Sequence, residues 1–287
     1  MQVQNIIPDF LTLKDSKVDS KVDFTIADLD IYFDRHPEIF TEYFPNHCPK
    51  TEERLRSAIV KYSDQLNDIR MIAKRLQAII GEIETMFNNS YHLDLDLGYK
   101  MIVGTFGSNA FVTRSNKREI YFAVEKLSAK TDHLKVIVAH EIGHTAHFTF
   151  ATQQGMNWQK VDWTNGLTTL YTEGAATYLS EKVVPGLNES IYFTYDDDGY
   201  PWVTCYKENR KEVKQRFLND VSSGWDMVKE REWFRLSGGS YFEHNRLGYL
   251  LGTNYVKQLV EKIGEEAALT FWNANDLKED ILRWLKE

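Results

Sequence analysis

Apolar side chains recur at steps of three and four residues along one long segment of the chain. The members of this stripe are Leu55, Ile59, Tyr62, Leu66, Ile69, Ala73, Leu76, Ile80, Ile83 and Phe87. Their spacing follows the 3.6-residue period of an α-helix, and Thr51, which follows Pro49, has a side chain suited to an N-cap. The pattern predicts one long amphipathic helix over 51–88 that packs along its own core. A surface for a coiled-coil partner is the alternative.

The chain before this helix is more polar. Residues 1–22 contain the near-repeat KDSKVDSKVD, which predicts a loose arm or an edge segment. From Phe24 to Phe44 the pattern is short and rich in aromatic residues. Pro37 and Pro45 break it, so one or two short helices are predicted there.

The period of the pattern changes after the long helix. Between residues 91 and 124, short alternating or β-branched segments predict strands: HLDLDLGYKMIVGTF, NAFVT and REIYFAVE. The helical period then returns and predicts five helices, over 131–150, 166–183, 206–236, 243–263 and 274–286. The order of elements is helices, a small sheet and then further helices. This order predicts a mostly helical α+β fold, with a small mixed sheet before the helix over 131–150.

This order of elements divides the chain into three regions. Residues 1–90 form an N-terminal helical region with the long helix, residues 91–150 hold the small sheet and the helix after it, and residues 151–287 form a C-terminal helical region. A chain of 287 residues can bury a substantial core as one large domain or as two joined domains.

Composition and charge exclude several classes of protein. Hydrophobic residues make up 43% of the chain and charged residues 26%, which is typical of a globular protein. The net charge of −8 argues against a dedicated nucleic-acid or anionic-membrane binder. No apolar run approaches the roughly 20 residues that span a bilayer. Two cysteines and the lack of a signal-peptide pattern lead us to expect a cytoplasmic protein.

Titratable side chains interrupt the apolar pattern of the helix over 131–150. His140, Glu141 and His144 form the spacing H-E-x-x-H within the segment VIVAHEIGHTAHF. Residues four apart share one face of a helix, so both imidazoles can bind one ion, and neutral imidazole suits zinc. Charges in a buried helix need a partner, which a metal supplies. The motif therefore predicts one Zn²⁺ per chain, and a chance occurrence of the spacing is the alternative.

A third ligand must come from outside this motif. The extended form H-E-x-x-H-x-x-G-x-x-H is absent, because its last two positions hold His147 and Phe150. We interpret His147 as a hydrogen-bonded core histidine, with a place in the cleft as the alternative. The first glutamate after the motif is Glu173, in the apolar helix pattern LYTEGAATYLSE. Glu173 is the predicted third ligand, and Asp162 and Glu181 are the alternative ligands. The other interpretation of Glu173 is a helix-surface carboxylate that binds no metal.

The two motifs resemble those of the gluzincin metallopeptidases. In that family a helix bearing E-G-x-[AT]-x-Y, or a close variant, follows H-E-x-x-H, and Glu173 to Tyr178 reads EGAATY. The chain also looks like predicted zinc-protease families of unknown substrate, in which a glycine- and tyrosine-containing helix such as RLGYLLGTNYVKQLVEKIG comes late. The resemblance covers roughly residues 100–264. It implies a zincin-like fold, in which Glu141 takes a proton from water and passes it to the leaving amine of a peptide.

The resemblance also implies a tyrosine or histidine that stabilises the oxyanion. Tyr249 is the first candidate, with His244 and Tyr241 as further candidates, and a buried structural tyrosine is the other interpretation. Arg246 either binds a substrate carboxylate or pairs with Glu243.

Zincins hold an extended peptide by adding it to the edge of a small sheet. Gly107 to Arg114 is the expected edge, with Asn109 and Ala110 as substrate contacts. An ordinary strand is the alternative there.

Two other functions stay open at this point. A non-catalytic zincin-like protein would bind a peptide or act in regulation, although an intact Glu141 argues against it. In the third hypothesis the helix over 51–88 binds a partner protein and the histidine motif arose by chance. The substrate sequence and the oligomeric state do not follow from the sequence.

Overall fold

The computed structural model describes residues 2–113, 119–273 and 276–287. The chain forms two compact units, Met1–Glu141 and Ile142–Glu287, and the boundary between them falls inside one helix. The fold is α+β and mostly helical, as the sequence predicts. The division into three regions stays a prediction.

Among its described residues, the first unit contains four strands, four helices and the start of a fifth. The strands are β1 (Gln2–Asn5), β2 (Gly98–Ile102), β3 (Ala110–Val112) and β4 (Glu119–Ala123). The helices are α1 (Ile7–Asp19), α2 (Ile26–Asp34), α3 (Pro37–His47) and α4 (Glu52–Tyr91), and α5 begins at Thr131. The aromatic pattern predicted one or two short helices here, and the structure has two, α2 and α3.

The predicted long helix is α4, with 40 residues. Thr51 caps it, since its Oγ1 accepts the backbone N–H of Arg54 at 3.3 Å. The members of the predicted stripe are buried or half-buried along its length, and His92 ends the helix in the left-handed conformation. At about 1.5 Å per residue, this helix is about 60 Å long.

The N-terminal segment differs in part from its prediction. Strand β1 pairs with β2 at one edge of the sheet, which confirms the edge segment. The loose arm is wrong, because the next residues form α1, whose Ile7 and Phe10 are fully buried. Asn5 accepts the N–H of Ile7 at the start of this helix, at 3.1 Å. The apolar face is short, and the lysine-rich repeat that follows it masks the helical pattern.

The sheet is mixed, with strand order β1-β2-β4-β3. Strand β2 runs parallel to β1 and to β4, while β3 runs antiparallel to β4, with Ala110 opposite Phe122 and Val112 opposite Ile120. Strand β3 is thus at an edge, as the sequence predicts for this segment; Arg114 lies outside the described residues.

Five consecutive backbone N–H groups of the β2–β3 loop donate to buried side chains. Tyr32 accepts from residue 103, Glu125 from 104 and 106, and Tyr43 from 105 and 107, all at 2.8–3.1 Å. Burial raises the pKa of Glu125 to about 7, and the two N–H groups that it accepts oppose this rise. Side chains therefore fix the path of the chain into β3 where no regular structure does.

The second unit is helical. Its elements are the remainder of α5 (Thr131–Gln153), α6 (Gly166–Val183), α7 (Ile191–Thr194), α8 (Tyr200–Ser222), α9 (Met227–Phe234), α10 (Leu247–Ile263), α11 (Glu265–Leu269) and α12 (Leu277–Lys286). Within the part of the chain that is described, no helix combines the length and apolar character needed to cross a bilayer.

The predicted helices of this unit agree with the structure except where a non-helical residue or loop interrupts a predicted helix. Helix α6 has the predicted bounds. The single helix predicted over 206–236 is wrong, since α8 and α9 are separate and Asp226 caps α9 through the N–H groups of Val228 and Lys229. Helix α10 begins at Leu247 and not at residue 243, because Arg246 has a left-handed φ of 58°. Residues 274–275 of the last predicted helix lie outside the described residues.

Candidate metal centre

Helix α5 carries both histidines of the H-E-x-x-H motif, one turn apart. His140 is 2% exposed, Glu141 8%, and His144 is half-buried. The residues from Val136 to Gly143 are all buried, which matches the apolar pattern of the sequence. The helix is thus surrounded by protein at the motif, and its polar side chains are held away from bulk water.

Helix α6 carries Glu173 and approaches α5 at a glycine. A Cβ atom added to Gly143 would lie 3.0 Å from the carbonyl oxygen of Ala176, so the two helices approach each other closely there. His144 follows Gly143, and Glu173 precedes Ala176 by one turn. As a result, His144 Nε2 lies 3.4 Å from a carboxylate oxygen of Glu173.

His140, His144 and Glu173 each offer one ligand atom, and these atoms all lie within 4.8 Å of one another. Two ligand atoms about 2.1 Å from a tetrahedral zinc ion are about 3.4 Å apart, which is the separation of His144 and Glu173. Two imidazoles and one carboxylate are also a ligand set that catalytic zinc uses. The ligand types, together with the separation of His144 and Glu173, are therefore compatible with a zinc ion.

The two alternative ligands from the sequence are engaged elsewhere. Asp162 is exposed, and it accepts hydrogen bonds from Thr164 and from Lys278 at 3.3 Å. Glu181 pairs with Lys257 at 2.6 Å. Neither belongs to the group of residues whose ligand atoms converge.

Helix α10 brings Tyr249 to Glu173 through a second glycine contact. A Cβ atom on Gly174 would lie well under 3.0 Å from the backbone of Gly252, and one on Gly252 would collide in the same way with the carbonyl oxygen of Leu170. Tyr249 lies one turn before Gly252 on α10. Burial raises the pKa of Tyr249 well above its usual value, and the negative charge of Glu173 raises it further. Its hydroxyl is therefore protonated and able to donate a hydrogen bond.

Arg246 is buried beside Tyr249 at the start of α10. It is 6% exposed, and its guanidinium carbon lies 4.5 Å from the ring centre of Tyr249 and 5.2 Å from that of Tyr195. Nη2 donates to the carbonyl oxygen of Phe193 at 2.5 Å, while Nε is buried and has no hydrogen-bond partner within residues 2–113, 119–273 and 276–287. The pairing with Glu243 that the sequence allows is not found among the described residues, and Glu243 is exposed.

The other two oxyanion candidates lie in the turn before α10. Tyr241 is 38% exposed, and its ring faces the guanidinium of Arg216 at 4.0 Å. His244 is half-buried in the same turn. Of the two tyrosines, Tyr249 is the one whose pKa is raised by the charge of Glu173.

The predicted substrate contacts lie at the edge strand β3. The carbonyl oxygen of Asn109 accepts the N–H of Ala123 at 2.8 Å. The side chain of Asn109 accepts the N–H of Ala110 at 2.9 Å. Both residues thus have backbone groups already bonded within the protein, and their role toward a peptide stays a prediction.

His147 is a core histidine, as we interpret it from the sequence. It is fully buried, and Trp272 Nε1 donates to its Nε2 at 2.7 Å. Burial, together with a smaller effect of the neighbouring His144, lowers the pKa of His147 to about 3. The carbonyl of Leu269 opposes this shift, although no hydrogen bond to Nδ1 has normal geometry. The imidazole is therefore neutral.

An aromatic cluster that the sequence analysis missed adjoins the motif. Its members pack through ring contacts of 5–6 Å and are Phe148, Trp158, Trp163 and Trp272. The ring of Phe148 lies nearly parallel to that of His144, 6.3 Å away. The signal available in the sequence was the pair of tryptophans in the loop between the two motifs.

Comparison with protein-family models, curated proteins and solved structures found no match to this chain. The resemblance to gluzincin peptidases therefore stays a prediction from the two motifs. What bears on the function is the arrangement of the residues themselves.

Proposed function

We propose that this chain is a zinc-dependent peptidase in which His140, His144 and Glu173 hold one zinc ion. The observation that carries the proposal is the convergence of their three ligand atoms within 4.8 Å, with Glu141 next to His140 in the sequence. Two helices joined at Gly143 and Ala176 hold these side chains, so the group is part of the packed structure. Two histidines and a glutamate that bind a metal, with a second glutamate beside them, are the residues that metal-assisted hydrolysis uses.

A bound zinc ion would supply Lewis-acid chemistry, polarising the substrate carbonyl and acidifying water. Glu141 is the proton acceptor of the chain: it takes a proton from the attacking water and delivers it to the leaving amine. Tyr249 is protonated because of its burial and the nearby Glu173, so it donates a hydrogen bond to the carbonyl oxygen as negative charge develops there. His244 is the alternative donor.

Peptides or proteins are the proposed substrates. An extended peptide can add its backbone to an edge strand, and β3, with Asn109 and Ala110 at its start, is the edge strand assigned to this role. The cytoplasmic location expected from the sequence belongs to the same proposal. Cys48 and Cys205 are both free thiols, which is consistent with a reducing compartment.

The test combines a metal analysis with one isosteric substitution. Wild-type protein and Glu141→Gln should each contain about one zinc ion per chain, and hydrolysis by the variant should fall by about 10²–10⁴-fold because only the proton acceptor is lost. Glu208→Gln, at an exposed position of α8, is the matched control and should keep full activity.

Two results would overturn the proposal. Purified protein that takes up no zinc would leave the 3.4 Å contact of His144 and Glu173 as an ordinary ion pair. Zinc-loaded protein that hydrolyses nothing in a broad peptide library would favour the non-catalytic peptide-binding protein.

A further inference from the structure

Arg246 is a buried cation that no carboxylate pairs with in the described part of the chain. Only 6% of its surface is exposed, and no carboxylate forms an ion pair with it among the described residues. The nearest acidic side chain in the sequence, Glu243, is exposed and does not reach it. Burying a charge without a partner of opposite sign is costly, so the position calls for a compensating group.

The contacts that Arg246 does make are neutral. Two tyrosine rings, Tyr195 and Tyr249, lie against its guanidinium, and cation–π attraction offsets part of the cost of burial. One nitrogen donates to the carbonyl oxygen of Phe193. A guanidinium has five N–H donors, and the Nε donor is buried with no acceptor among the residues that the structure describes. The side chain is thus held in place while part of its hydrogen-bonding capacity is unused.

The location of Arg246 ties it to the candidate metal centre. Its guanidinium lies 4.5 Å from the ring of Tyr249, and Tyr249 lies one turn before Gly252 on α10. The backbone contact of Gly174 with Gly252 fixes this arrangement. A group bound to Arg246 would therefore lie near the proposed ligand Glu173.

The other charged groups that act on this region already have partners. Glu230 accepts a hydrogen bond from Trp225 at 3.3 Å and pairs with Arg235 at 3.4 Å. Arg235 is exposed, so bulk water also compensates its charge. Arg246 is the buried cation of this group, and no carboxylate among the described residues forms an ion pair with it.

We propose that Arg246 is a specificity residue that binds a carboxylate of the peptide substrate. The planar guanidinium matches the two oxygens of a carboxylate and forms paired, charge-assisted hydrogen bonds with them. The carboxylate is either the free C-terminus of the peptide or an aspartate or glutamate side chain close to the scissile bond. This assignment rests on the proposed peptidase function and narrows its substrates to those with a carboxylate close to the bond that is cut.

The experiment compares three versions of one peptide that zinc-loaded protein hydrolyses: a free C-terminal acid, its C-terminal amide, and the amide with an internal glutamate placed near the cleavage point. For the wild-type protein, kcat/KM should be about 30-fold or more higher for one of the two acidic peptides than for the neutral amide. The acidic peptide that is preferred identifies the source of the carboxylate.

Variants then assign this preference to one residue. Arg246→Gln should bring the acidic and neutral peptides to within about threefold of each other, and Arg246→Lys should restore part of the preference because it keeps the charge. Arg235→Gln removes a nearby exposed charge and should retain the wild-type preference.

The outcomes separate the two proposals. Equal hydrolysis of all three peptides by the wild-type protein overturns the role of Arg246 and leaves the peptidase proposal standing. Hydrolysis of none of the library peptides overturns both. The comparison of peptides needs only the wild-type protein, so an Arg246 variant that fails to fold does not prevent the test.

Discussion

Gly174 of α6 and Gly252 of α10 meet backbone to backbone, with no room for a Cβ atom between them. We expect Gly174→Ala to lower the free energy of unfolding by about 1–3 kcal/mol, because the helices must separate to admit the methyl group. Glu173 is the preceding residue, so kcat/KM should fall as well. Urea unfolding and peptide hydrolysis measure the two effects.

Gly155→Ala is the control for this substitution. A Cβ atom on Gly155 meets nothing within 4 Å, so only its left-handed φ of 79° opposes the change, at about 1–2 kcal/mol. Hydrolysis should be unaffected. A Gly174→Ala protein with wild-type activity would show that the glycine contact does not position Glu173.

Zinc should stabilise the folded chain through its three ligands. Free zinc at about 100 times its dissociation constant adds about 2.7 kcal/mol to the free energy of unfolding, which corresponds to a rise in Tm of several degrees. A chelator should reverse this rise, and His144→Ala should abolish it. His36→Ala, which removes a contact with Asp9 in the first unit, should retain it. A zinc-induced shift that survives His144→Ala would place the metal elsewhere.

Tyr249→Phe should lower kcat by about 10²–10³-fold with a small change in KM, because the hydroxyl acts mainly on the developing oxyanion. Steady-state kinetics on one good peptide measures this. Tyr241→Phe is the matched control, since the ring of Tyr241 is 38% exposed and faces Arg216. Loss of activity in the Tyr241 variant alone would exchange the roles of the two tyrosines.

The stability of the chain should depend on pH through Glu125. Burial raises its pKa from 4.5 to about 7, so between these pH values the folded state holds a proton that the unfolded state releases. Glu125 thereby contributes about 3 kcal/mol to the free energy of unfolding. This contribution is fully present below about pH 4.5 and is lost as the pH rises through 7.

Glu125→Gln tests this dependence, because a glutamine has no proton to lose. Urea unfolding at pH 5 and at pH 8 measures the effect. Between these pH values the wild type should lose about 2–3 kcal/mol of unfolding free energy relative to the variant. The same difference at both pH values would mean that Glu125 titrates near its ordinary pKa.

Local patterns predicted the elements whose signal lies within one helix or strand. The stripe from Leu55 to Phe87 and the cap at Thr51 defined α4, and the bounds of α6 agree with its predicted range. The convergence of His140, His144 and Glu173 was also predictable, because the spacing of the two histidines is a property of one helix. Glu173 followed because it is the first glutamate after the motif.

Features that depend on distant contacts were not predictable. The start of α10 depends on the left-handed conformation of Arg246, whose side chain is held by Phe193 and two tyrosines. The sequence allowed Arg246 to pair with Glu243, and only the packing reveals that its charge has no such partner. In the same way, helix α1 has few apolar residues from which a helical pattern could be predicted, and burial of Ile7 and Phe10 stabilises it.

The β2–β3 loop has a consequence for hydrogen exchange. Backbone amides of irregular loops usually exchange with solvent quickly, because water is their main hydrogen-bond partner. From Val103 to Gly107, however, each amide donates to a buried oxygen of Tyr32, Tyr43 or Glu125. These five amides should therefore exchange as slowly as the centre of a helix, and the approach to β3 would open only when this whole set of bonds breaks together.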